Sequence, residues 1–278
     1  MVRCFICAIL YLGFAAAGTV HGQDAGPADS VVWKKVHASV FGNGRLDAAD
    51  GVVTLETPKR AEDAAIVPLA IRAGFPQTKD RYIEKIWLII DNNPSPIAAV
   101  FQFTQQSGRA DIETRVRIEE YTYVRAVALT NDGKLYMAAN YVKASGGCSA
   151  PAGKDAIAAR ASLGKMRLRV SDGAEVGRPA VAQLMVSHPN DSGLAMDQVT
   201  RSYATPHFVR RVEVRYGGKL VMNADVDFSI SENPNFRFYF VPDGEGELDA
   251  KVVDNQDLEF STRMKLDSAR LGLVSTPR

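Results

Sequence analysis

The chain has 278 residues, 46% of them hydrophobic and 23% charged, with 33 basic against 32 acidic side chains. This is ordinary globular composition, and the charge balance leaves no basic tail or stripe, so neither nucleic acid nor an anionic lipid surface is an expected partner. The length suits one large domain or two small ones, each able to bury a workable core.

The N-terminus reads as an export signal over residues 1–22. Arg3 is its lone charge, Phe5 to Ala17 is an apolar run too short for a typical membrane span, and small residues follow, with cleavage expected after Ala17 or Gly22. The alternative is an uncleaved anchor. No later segment is long and apolar enough to cross a bilayer. The expected mature protein is therefore soluble and periplasmic, with no membrane partner after signal removal. Cys4 and Cys7 fall inside the signal, which leaves Cys148 as the one cysteine of the mature chain.

Asp29 to Phe41 spaces Val32, Trp33, Val36, Val40 and Phe41 for a short amphipathic helix, with Asp29 or Ser30 as N-cap and Gly42-Asn43-Gly44 as terminator. Strand-like runs follow at Gly51 to Thr57, Ala64 to Ile71, Ile83 to Ile90 and Ile97 to Thr104, the last two separated by the turn signal Asp91 to Pro96. Asp111 to Glu119 alternates Ile112, Thr114, Val116 and Ile118 with Asp111, Glu113, Arg115, Arg117 and Glu119. That predicts a strand with one solvated face. Tyr121 to Thr130 and Lys134 to Val142 flank Asn131-Asp132-Gly133 and form a predicted hairpin.

That hairpin delivers the chain into Ser145-Gly146-Gly147-Cys148-Ser149-Ala150-Pro151, a run that predicts a thiol on a flexible arm made by Gly146, Gly147 and Ser149. Pro151 to Ala161 reads as a Gly/Ala-rich linker with a helical turn at Asp155 to Arg160. A second β series follows: Gly164 to Val170, Val181 to Ser187, Phe208 to Tyr216 and Lys219 to Phe228 around Gly217-Gly218, then Phe236 to Val241, Leu248 to Val253 and Leu258 to Met264. Asn190 to Thr205 is a long polar connection, and loops of that length usually have a use. The predicted fold is all-β: two immunoglobulin-like β-sandwich domains in tandem, over 29–145 and 162–270, joined by the arm and linker at 146–161.

An odd cysteine in an exported protein points to an intermolecular bond or a reactive group, against the alternative of an inert buried residue. No basic residue adjoins Cys148 in sequence, the nearest being Lys143 and Lys154. This suits a passive handle better than a tuned nucleophile, and no catalytic residue is assigned. A redox dithiol needs a second cysteine. His37, His188 and His207 are the remaining histidines; His188 and His207 bracket the long loop and are candidates for partner docking or for a structural role. Closely spaced zinc ligands are absent, and the dispersed methionines suit core packing better than copper. No metal or cofactor is expected.

The second half resembles SoxZ, the partner subunit of a sulfur-oxidation carrier, at Ser187-His188-Pro189, Ser192-Gly193, Asp197, Pro206-His207-Phe208, Tyr216-Gly217-Gly218-Lys219, Ile230 to Pro234 and Asp254-Asn255. The first half resembles SoxY at Trp33, Phe41-Gly42 and Gly146-Gly147-Cys148. SoxY cysteines end their chain, whereas here a second domain follows and the arm is held at both ends. The arrangement resembles fused SoxYZ-like carriers associated with quinoprotein dehydrogenases. The resemblance implies a non-catalytic carrier that holds a sulfur-containing or other thiol-linked intermediate, such as a thiosulfonate or persulfide, on Cys148. It implies periplasmic redox enzymes as partners, either a quinoprotein dehydrogenase or sulfur-oxidation enzymes. The alternative from another class is a tandem immunoglobulin-like scaffold in which Cys148 is incidental or dimerising.

Overall fold

The computed structural model describes residues 30–150, 161–196 and 200–272. The expected signal peptide, the turn at Asp155 to Arg160 and Asp197 lie outside them. Helix α1 (Val31–Val40) starts where expected: the Ser30 side chain accepts a hydrogen bond from the Trp33 amide at 3.1 Å. Of the two candidate caps it is Ser30 that acts. Among the described residues no helix is long and apolar enough to cross a membrane.

The first half supplies β1 (Leu46–Ala48), β2 (Val53–Glu56), β3 (Val67–Ala73), β4 (Ile83–Ile90), β5 (Ile97–Phe103), β6 (Ile112–Val116), β7 (Thr122–Thr130) and β8 (Leu135–Val142). The second supplies β9 (Met166–Val170), β10 (Ala180–Val186), β11 (Val209–Tyr216), β12 (Lys219–Val226), β13 (Asn235–Phe240), β14 (Gly246–Asp254) and β15 (Glu259–Leu266). β1, which pairs parallel with β8, is three residues long, too short for its alternation to stand out, and was not anticipated. The Gly217-Gly218 turn has positive φ at both residues, 53° and 77°, as a two-residue hairpin requires.

Two sheets face each other, and each one runs through both halves. The larger has the order β1-β8-β7-β4-β5-β12-β11-β14-β15, and the smaller β2-β3-β6-β13-β10-β9. The seam is therefore made of backbone ladders. β12 pairs antiparallel with β5 from Met222↔Phe103 to Val226↔Ala99, and β13 pairs with β6 at Phe238↔Ile112 and Arg237↔Glu113. Pairing covers strand edges that would otherwise be exposed on each half. One apolar cluster crosses the seam, with Phe101 edge-on to Phe236 at 6.5 Å. Phe236, Phe238 and Phe240 all face inward, as their alternation predicts.

The alternation of 111–119 is only half realised. Ile112, Val116 and Ile118 are buried, but so are Asp111 and Arg117, which were expected on the wet face. The reason is tertiary: β13 and the loop after β12 pair along the edge of β6 and past its end. The Arg117 amide donates to Ser229 O at 2.7 Å, and the Ser231 amide to Arg115 O at 3.0 Å.

A second buried charge holds α1 to the larger sheet. Arg125 is fully buried and clasps Asp91 at both carboxylate oxygens, at 2.7 and 2.5 Å. Its guanidinium lies 4.3 Å from the centre of the Trp33 ring. Removing one member of such a pair strands the other charge. Asp91→Ala is expected to lower the unfolding free energy by about 3–5 kcal/mol in urea denaturation. Because one core spans both halves, Phe236→Ala is expected to cost about 3–5 kcal/mol and to shift a single transition seen by both tryptophan fluorescence and far-UV dichroism. Two transitions, with only one shifted, would show that the halves unfold independently.

Candidate functional site

Cys148 lies at the seam. The chain leaves β8 and returns along the end of β6, where the Gly146 amide donates to Glu119 O at 2.8 Å and the Gly147 amide to Ile118 O at 2.9 Å. A Cβ on Gly147 would sit 2.0 Å from Ala64 O, so only glycine fits. Gly146 takes a φ of 83°, which also favours glycine. The two glycines thus serve close approach and backbone geometry in the docked state.

This corrects the expectation of a displayed thiol. Cys148 is fully buried, and Gly146, Gly147 and Ser149 are hydrogen-bonded rather than free. The polar run could not reveal this, because the groups that hold it come from distant segments. The Glu119 carboxylate accepts from the Cys148 amide at 2.8 Å, the Ser149 amide at 3.1 Å and the Ser149 hydroxyl at 2.9 Å. Ser192 Oγ donates to Cys148 O at 2.5 Å, and Arg117 Nη1 to Gly147 O at 3.2 Å. Asn93, in the turn after β4, ties the floor together: it donates to Arg117 O and Ser229 Oγ and accepts from the Glu119 amide.

Cys148 belongs to neither apolar cluster, and the next residue, Ser149, is exposed. The polar bonds that hold the segment fall on the backbone around the thiol, from Glu119, Ser192 and Arg117. Burial pushes it up to about 12, helped by the negative charges of Glu119 and Asp227 and opposed by Arg117. Docked, it is a neutral, unreactive thiol.

The expected docking pair His188 and His207 meets, but mostly inside the protein. The rings stand edge to face at 4.6 Å; His188 is buried and the His207 side chain is 16% exposed. His188 therefore offers no surface for docking. Both Nε2 atoms approach Asp254 Oδ2, at 3.5 Å from His188 and 2.7 Å from His207. His188 Nδ1 accepts from the Asn190 amide, so its Nε2 carries the proton and donates to Asp254. Burial, then the neighbouring His207, lowers His188 to about 4. Burial works against the Asp254 charge, but bonds from His207 and the Leu258 and Gln256 amides hold its carboxyl below the usual range.

Ligand atoms of His188, His207 and Asp254 all lie within 4.8 Å of one another. Sequence spacing alone did not bring these three together, because they come from three separate segments. Their hydrogen bonds to one another account for the arrangement without an ion. The same corner gathers the other sequence motifs: Asn255 accepts from the Phe208 amide and donates to Pro206 O, and the Asp191 amide bonds His207 O. The cluster thus braces the loop from which Ser192 reaches Cys148. His37 is elsewhere, against Gly44 O on α1. Arg117, Glu119 and Ser192 were missed as site residues. Only the density of charge at 115–119 hinted at the first two.

No curated protein matches the chain. Among solved structures it is similar to the sulfur carrier protein SoxY from Chlorobium limicola f thiosulfatophilum, at 23% identity over 40% of this chain and 90% of that one, with a TM-score of 0.34. It is also similar to superoxide reductase (neelaredoxin) from Ignicoccus hospitalis, at 15% identity over 34% and 80%, with a TM-score of 0.31. Fibronectin(III)-like modules of CbhA from Clostridium thermocellum match at 12% identity over 82% and 99%, with a TM-score of 0.23. The family matches divide the chain as its residues do: 37–148 match the sulfur oxidation protein SoxY, ending on the cysteine, and 166–265 match the sulphur oxidation protein SoxZ. The chain belongs to these families as a SoxYZ-like fusion, a non-catalytic sulfur-oxidation carrier with its SoxY domain ahead of its SoxZ domain.

Proposed function

We propose that the protein is a periplasmic carrier that holds a sulfur intermediate covalently on Cys148, and that residues 146–149 alternate between the docked position and one in which partner enzymes reach the sulfur. Those partners are sulfur-oxidation enzymes in kind; a quinoprotein dehydrogenase is the more specific partner we propose among them. One observation carries this reading: a buried cysteine outside both apolar clusters, fastened by a few polar bonds from Glu119, Ser192 and Arg117. Side chains packed into a core leave it only on unfolding, whereas a clasp of this kind can open locally. The apolar N-terminal run supports the periplasmic location, because it suits export.

The dimerising alternative requires a thiol exposed at rest, and burial of Cys148 weighs against it. Intact-mass measurement of native protein purified without reductant distinguishes the two. The carrier shows a small mass increment on Cys148 that reductant removes; the dimerising scaffold shows twice the monomer mass instead.

Opening is also measurable. Glu119→Gln keeps the shape of the clasp but removes its charge, and charge-assisted hydrogen bonds contribute roughly 1.5–3 kcal/mol. Alkylation of Cys148 by iodoacetamide is therefore expected to be about tenfold faster in Glu119→Gln at unchanged far-UV dichroism. Equal rates would remove Glu119 from the clasp. The pH dependence has a definite sign. An exposed thiol begins to lose its proton near 9.0, while the docked one holds it to about 12. Docking is therefore fully stabilised below pH 9 and weakens as pH rises from 9 toward 12.

A further inference from the structure

We propose that Arg117 is the receptor for an anionic cargo: when Cys148 carries a sulfur oxyanion such as a thiosulfonate, the guanidinium holds its sulfonate end inside the seam. This rests on the carrier reading and names the side chain that receives the cargo. Arg117 is only 2% exposed, yet its Nε and Nη2 are buried with no hydrogen-bond partner, and it makes no ion pair within 4 Å among the described residues. Among the described residues the one hydrogen bond of its guanidinium is Nη1 to Gly147 O, one residue before the thiol.

The chain itself supplies the contrast. Arg125 is equally buried and is matched at both ends of its fork by Asp91. A buried charge left unmatched is costly, so the unused face of Arg117 calls for an anion. The neighbouring carboxylates do not supply one. Glu119 is committed to the amides of Cys148 and Ser149. Asp227 accepts from the Ser95 hydroxyl and makes no ion pair with Arg117 within 4 Å. Asp191 acts on Arg117 only through space, with no ion pair between the two within 4 Å. Nor can the empty thiol compensate, since docked it is protonated. A sulfonate can: two of its oxygens fit the parallel N–H groups of a guanidinium. Arg117 and Glu119 lie two residues apart and bracket Cys148, one gripping the carbonyl before it and the other the amides at and after it. Cargo with negative charge would thereby strengthen docking, and neutral cargo would not.

The test loads Cys148 chemically, without partner enzymes. Tetrathionate donates the anionic adduct: the Cys148 thiolate, its proton lost to solvent, attacks a central sulfur, forms Cys–S–S–SO3⁻ and expels thiosulfate. Methyl methanethiosulfonate donates a neutral one, Cys–S–S–CH3, and expels methanesulfinate. Excess dithiothreitol then releases each adduct as thiosulfate or methanethiol and ends as its cyclic disulfide, and mass spectrometry follows the free Cys148. In Arg117→Met the thiosulfonate is expected to be released about tenfold faster than from the unaltered protein, the methyl disulfide at an unchanged rate, with Arg117→Lys between the two for the thiosulfonate. Arg117→Lys, which keeps the charge, carries the comparison by itself if Arg117→Met does not fold. Equal release of the thiosulfonate from the unaltered and substituted proteins, or equal acceleration of both adducts, would overturn the role of Arg117 alone. Failure of both reagents to load Cys148 in the folded chain would overturn the carrier reading, and this proposal with it.

Discussion

Two ladders of backbone hydrogen bonds, β5 to β12 and β6 to β13, are the constraint from which the rest follows. They turn two small sandwiches into one pair of continuous sheets. They also fix the end of β6 against the loop after β12, so that residues 115–119 present side chains to segments far away in sequence. The clasp is a consequence. Glu119 comes from the first half and Ser192 from the second, and the seam brings both to the same residue. The single chain makes that partnership permanent.

In the proposed function, the docked thiol reconciles two demands on a carrier. A cysteine that is always exposed is open to oxidation and to stray disulfides, whereas one packed in a core cannot be reached. Here burial and nearby negative charge keep the thiol neutral at rest, and the bonds that keep it buried are few and polar. The glycines are used for fit in this state: Gly147 because nothing larger clears Ala64, Gly146 because of its backbone angle. In the proposed open state their lack of side chains keeps alternative conformations accessible.

The β content, most strand positions, the capped helix and the hairpin at Gly217-Gly218 were legible in the sequence, because alternation and turn chemistry are local. The importance of the 145–149 run was legible from composition, but its docked state was not. Nothing within ten residues of Cys148 shows that Glu119 and Ser192 are waiting for it. Arg117 shows the limit most clearly. Its place in an alternating strand assigned it to solvent, but in the fold it is buried where the second half pairs along β6 and its end. His188, His207 and Asp254 were each visible as motif residues, yet their convergence on one carboxylate oxygen depends on chain crossings that spacing does not encode.

The central claim is that a rigid, two-sheet stand holds a cysteine segment that opens on its own. Amide hydrogen exchange measures this directly. The amides of Gly146, Gly147, Cys148 and Ser149 are predicted to be protected, but to exchange through an opening of far lower free energy than the seam amides of β5 and β12. Exchange of the segment at the rate of an unstructured peptide would contradict the docked state. Exchange only together with the seam, through global unfolding, would contradict the opening.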